Sequence, residues 1–78
     1  MSDLKPTIGE QRVRTKFNPS SSDDVQQVKE THAALINQMA QKSTIAVDGE
    51  HKRLYAEAMT RIEDAAMWSV KALTYQAL

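Results

Sequence analysis

Residues 11–17 read Gln-Arg-Val-Arg-Thr-Lys-Phe. In an extended chain this alternation puts Arg12, Arg14 and Lys16 on one face and Val13, Thr15 and Phe17 on the other. Cations beside an aromatic ring are the chemistry of nucleotide binding. Guanidinium groups take phosphate oxygens in pairs, and a ring stacks on a base for about 1–3 kcal/mol. The same residues also make a solvated basic arm, and composition alone favours that plainer reading. Other reactive groups are sparse. Glu63 and Asp64 are adjacent, so on a helix they point about 100° apart and do not form a facing acid–base pair. His32 falls at a helical core spacing and reads first as a packing residue. No glycine-rich phosphate loop is present, and no nucleophile stands at a recognisable spacing from a base. There is no cysteine, which excludes a disulfide and a thiolate metal site. His32 and His51 lie on separate segments, which disfavours a zinc site. No metal and no cofactor is expected, and binding without catalysis is the favoured class.

The elements that must position these groups are helical. Residues 1–19 read as an N-terminal arm, mobile over 1–10 around Pro6 and Gly9 and extended over 11–17. Asn18-Pro19 favours a turn, because the residue before proline is pushed out of the α region. Residues 20–78 read as a helical hairpin. Ser20 and Ser21 each precede an Asp by three residues, a variant of the capping box, and Asp23 and Asp24 suit the first turn of a helix. Val25, Val28, His32, Leu35 and Met39, widened by Ile36, form its stripe over about 22–42. Thr44–Val47 is too short for a strand. Asp48 then caps a second helix over about 50–76, and the short connection makes the pair antiparallel.

The second helix carries more apolar surface than one partner helix covers. Ile62, Ala65, Ala66, Ser69, Ala72 and Leu73 form a stripe, while Met67, Trp68 and Val70 lie largely off it. A helix apolar most of the way round is buried on more than one side. Met67-Trp68 also offers a ligand platform, but an oligomer interface is the simpler use of an exposed Trp. A chain of 78 residues is one domain at most, and domains of this size are marginal alone. Oligomerisation through Met67, Trp68 and Val70 is the compensation left open by the missing cysteines. The formal net charge is zero, which argues against a DNA- or RNA-binding module. No apolar run reaches a membrane span of about 20 residues and no signal-peptide pattern opens the chain, so a cytoplasmic protein is expected.

The run Ile62-Glu63-Asp64-Ala65-Ala66-Met67-Trp68-Ser69-Val70-Lys71-Ala72 resembles a family of small phage proteins. These are the anti-CBASS type II sponges, which share a helical-hairpin domain with some phage anti-Thoeris proteins. The shared pattern is an acidic pair, two small residues, Met-Trp and then small residues; the resemblance spans about residues 12–75. It implies a symmetric homo-oligomer, a hexamer of hairpins, that works in the host cytoplasm. It implies sequestration of cyclic oligonucleotide messengers without cleavage, which blocks host antiphage signalling. Cyclic dinucleotides would sit between two protomers near the N-terminal segments, where an aromatic residue stacks on a base and a lysine of the first helix meets a phosphate. Phe17 corresponds to the aromatic, where the family pattern has tyrosine. Lys29 corresponds to the lysine, with Thr31 and His32 as alternatives in a shifted register. Arg12, Arg14 and Lys16 complete the expected ligand-binding set. Cyclic trinucleotides would take a separate pocket where three protomers meet. The competing expectation, from a different class, is a small helical structural or adaptor protein whose basic arm is a solvated tail.

Overall fold

The computed structural model describes residues 5–77. Among these it contains three helices and no strand: α1 (Ile8–Val13), α2 (Asp23–Ser43) and α3 (Gly49–Leu73). The long pair forms the expected antiparallel hairpin. Ile36 in mid-α2 packs with Met59 and Ile62 of α3, while Val25 near the start of α2 shares a groove with Val70 and Thr74 at the end of α3.

The helix ends follow from local chemistry. Asp48 caps α3 by accepting the His51 amide at 2.8 Å. At α2 the cap is Ser22, one or two residues after the expected serines; it accepts the Val25 amide, while Ser21 takes a left-handed turn with φ 55°. Asp23 and Asp24 occupy the positive end of α2 and Lys42 the negative end. The second long helix stops at Leu73 and not at Gln76. The Thr74 hydroxyl donates to the Val70 carbonyl at 2.8 Å, and the chain turns there.

The extended arm of the sequence reading is corrected over residues 8–13, which are helical. Thr7 and Glu10 form a reciprocal capping box: the Glu10 amide donates to the Thr7 hydroxyl at 3.1 Å, and the Thr7 amide to the Glu10 carboxylate at 2.8 Å. The part of the arm read as mobile over residues 1–4 lies outside the described residues. α1 lies directly on α2. A Cβ on Gly9 would fall on the Ala33 carbonyl oxygen and 2.7 Å from its carbon. At this spacing the Gly9 amide donates to the Asn37 side-chain oxygen at 2.8 Å, and the Asn37 amide donates to the Thr7 hydroxyl at 2.9 Å.

This docking shifts the buried face in the middle of α2. The inner positions are Val25, Lys29, Ala33 and Ile36; Val25 and Ile36 belong to the expected stripe, while Lys29 and Ala33 lie one residue round from its Val28 and His32. Ala33 is small enough to admit α1, and the Lys29 stem lies under the following turn. Leu35 is left 41% exposed and His32 half-buried. Val13, Ala33, Ile36 and Ala66 make the core cluster.

The Cα trace extends 48 × 38 × 12 Å, with a radius of gyration of 14.3 Å. A compact chain of this length would have about 11.5 Å. The protein is one layer of helices, and one layer has no second layer to cover its outer face. Leu54, Met67, Trp68 and Leu73 are all exposed.

Gly9→Ala should therefore force α1 away from Ala33. Overpacking of this kind costs about 1–3 kcal/mol. Urea denaturation should show the loss, and hydrogen exchange should show the α1 amides opening first. Unchanged stability and unchanged α1 protection would mean that α1 does not sit on the α2 backbone.

Candidate functional site

The segment between α1 and α2 is held down by side chains of α2. Its first residue, Arg14, ends α1 in the left-handed region, at φ 63° and ψ 55°. Such a conformation is uncommon for a residue with a side chain and costs about 1–2 kcal/mol. It turns the chain back so that the carbonyls of Arg14 and Phe17 converge on one point of α2. The Lys29 ammonium stands there, donating to the Arg14 carbonyl at 3.2 Å and to the Phe17 carbonyl. Three residues earlier on α2, the Gln26 amide donates to the Thr15 carbonyl at 2.9 Å and to the Glu30 carboxylate at 3.0 Å. The Asn18 amide closes the segment on the Ser22 carbonyl at 3.0 Å. Lys29 is only 7% exposed. Burial, and then the neighbouring Arg14 charge, hold its pKa below the usual lysine value.

This fastening presents the Phe17 ring outward. The ring is 58% exposed. The Arg14 guanidinium lies 5.3 Å from its centroid and the Lys29 ammonium 5.4 Å. Cations at this distance are attracted by the ring's electron-rich face. Phe17 and Lys29 sit where two grooves meet. One, of about 470 Å³, runs past Arg14 to Glu63, Met67 and Val70. The other, of about 300 Å³, runs past Pro19 to Val70 and Thr74. Both volumes suit part of a small-molecule ligand, but both grooves are open to one side.

The expected face of three cations does not form, because α1 is helical. Arg12 points to α3: its Nε donates to Glu63 at 2.7 Å and its guanidinium reaches the Thr60 hydroxyl at 3.4 Å. Lys16 lies between two other grooves, one with Glu10, Gln26 and Glu30 and one with Arg14 and Phe17. His32 donates from Nδ1 to the Val28 carbonyl at 2.8 Å, and Thr31 bonds back to Gln27; neither lines the Phe17 cleft. The structure thus gathers Arg14, Phe17 and Lys29, keeps Arg12 at the rim as a partner of Glu63, brings Lys16 to a further groove that Arg14 and Phe17 also line, and leaves His32 apart.

Met67 and Val70 line the cleft; Trp68 is 61% exposed, with the Lys71 ammonium 5.0 Å from its ring. Gln26, Asn37 and Glu63 are the positioning residues that sequence reasoning missed. The i, i+3 spacing of Gln26 and Lys29 was the visible signal, since it puts two long donors on one helix face. Among the described residues no group of three or more His, Asp or Glu side chains stands close enough to hold a metal ion. No helix among them is long and apolar enough to cross a membrane.

Lys29→Met keeps the buried stem and removes the donor. Two carbonyls then lose their partner, which should cost about 1–3 kcal/mol in chemical denaturation. A melting curve identical to wild type would show that the ammonium does not hold the turn.

Comparison with curated proteins and with solved structures finds no match. A family model does match. The Acb2/Tad1 hairpin domain fits residues 8–74, from the first residue of α1 to the residue after α3. That span contains the capping box's Glu10, the fastened turn, the Phe17 cleft and the Met-Trp helix, and so the chain belongs to the Acb2/Tad1 hairpin-domain family.

Proposed function

We propose that this protein binds cyclic oligonucleotides and withholds them from a host effector without cleaving them. The observation that carries the reading is Phe17: an exposed aromatic ring held by a fully fastened turn, with two cations against it. A loose turn would lose backbone freedom when its ring stacked; this turn is already fastened through its carbonyls, and preorganisation of that kind adds to affinity. Membership of the family supports the choice of ligand.

A sponge acts by mass action, so its affinity has to be high. A nanomolar site requires about −12 kcal/mol. One open cleft with one ring does not supply that. Two clefts facing each other supply two stacked bases and two charged contacts, and they enclose the ligand. The single-layer shape supports the same arrangement, since a second copy would cover the exposed face. Met67, Trp68 and Val70 are the residues assigned to that seam, in a homo-oligomer that the family resemblance makes a hexamer. Cyclic dinucleotides fit the two-chain cleft. Cyclic trinucleotides would take a pocket at a three-chain junction.

The test is thermal melting with a panel of cyclic di- and trinucleotides. A ligand that binds only the folded state raises the midpoint by linkage. Phe17→Ala should weaken cyclic dinucleotide binding roughly ten- to a hundredfold, the loss of about 1–3 kcal/mol of stacking per base. The nucleotide, released by heating and run on a column, should come back intact. Midpoints unmoved by every ligand would leave the adaptor reading in its place, and linear product would mark an enzyme.

A further inference from the structure

Four cations stand near the Phe17 ring, and two of them, Arg12 and Lys29, are already engaged within the chain. Arg12 is paired with Glu63 and reaches Thr60. Lys16 is exposed and shares grooves with Arg14 and Phe17 on one side and with Glu10 and Glu30 on the other, but it does not lie over the ring as Arg14 and Lys29 do. Lys29 is buried and donates to two backbone carbonyls. Arg14 differs. It is exposed, it lies over the ring, and among the described residues its guanidinium takes part in no hydrogen bond or ion pair. We infer that Arg14 is the group of this cleft that meets the ligand's phosphodiester, and that Lys29 is a positioning residue that acts through the turn it clamps. This rests on the nucleotide-binding reading above and divides the labour within it.

Two independent observations carry the assignment. The first is the backbone of Arg14. Its φ of 63° closes a helix at the place where glycine is the common residue, because glycine bears no penalty there. An arginine at such a position strains the backbone for no gain in the turn itself. Strain of this kind collects where a side chain has a task. A guanidinium suits the task, since its planar fork matches two phosphate oxygens at once. The second is the occupation of Lys29. Turning its ammonium to a ligand would strip the Arg14 and Phe17 carbonyls of their donor and loosen the ring that the base is to stack on. Keeping it in place leaves ring and guanidinium side by side, so that a base covering the ring brings its phosphate to the cation already there.

The experiment compares wild type, Arg14→Gly, Lys29→Met and the double variant. Each is titrated calorimetrically with cyclic di-GMP, cyclic di-AMP and cyclic GMP–AMP. Amide exchange over residues 15–18 is followed without ligand. Arg14→Gly should melt at or above the wild-type temperature, keep the turn amides protected, and lose about tenfold or more in affinity. Lys29→Met should lose turn protection before any ligand is added, and lose affinity with it. The double variant should bind no more weakly than the weaker single variant, because both changes remove one arrangement. Arg14→Gly decides alone where Lys29→Met does not fold. Wild-type affinity in Arg14→Gly overturns the assignment, as does a Lys29→Met protein that loses affinity while its turn amides stay protected. If the wild type binds none of the three ligands, the nucleotide reading itself falls, and the assignment with it.

Discussion

Gly9 has no side chain, and for that reason the backbone of α1 lies against the Ala33 carbonyl of α2. The rest of the site depends on this approach. Asn37 bridges Gly9 and Thr7 only at that distance. With α1 in place, Arg12 on its outer side reaches Glu63, so α1 is tied to both long helices. The chain must then reverse at Arg14 to enter α2, and the reversal brings its carbonyls over Gln26 and Lys29. Phe17 comes last in the sequence of constraints. Its ring is exposed because the backbone on both sides of it is occupied.

The same layout explains why the chain would work as a binder in more than one copy. A ring, a guanidinium and an open groove make half of an enclosed pocket. A layer one helix thick leaves an apolar side uncovered, and the exposed Met67 lines the cleft. The surface that calls for a second copy and the surface that calls for a ligand are thus neighbours. In the proposed function they are completed together, and the ligand gains from a site whose backbone is already ordered.

Much of this was legible in the sequence. Asp48, the Ser20–Asp24 run and the apolar spacing placed both long helices, and the Met-Trp run marked the family later matched over residues 8–74. The misreadings have physical causes. Alternation over residues 11–17 suggested an extended arm, while Thr7-x-x-Glu10 was a capping box standing beside it. Val25 and Ile36 of the expected α2 stripe are buried, but its middle is one residue out, because periodicity counts hydrophobic side chains and the inner face includes Ala33 and the stem of Lys29. Arg12 does line the Phe17 cleft, but there it is paired with Glu63, fifty-one residues away in sequence, a pairing only the fold creates. Phe17 was singled out for its chemistry and is exposed as that chemistry requires.

Native mass spectrometry of the intact chain with a cyclic dinucleotide tests the central claim most directly, because it reads assembly and occupancy in one spectrum. The account predicts an assembly with an even number of chains, six on the family resemblance, carrying one dinucleotide for every two chains, with the ligand mass unchanged. Monomers that bind one ligand each, or an assembly that takes up none, would contradict it.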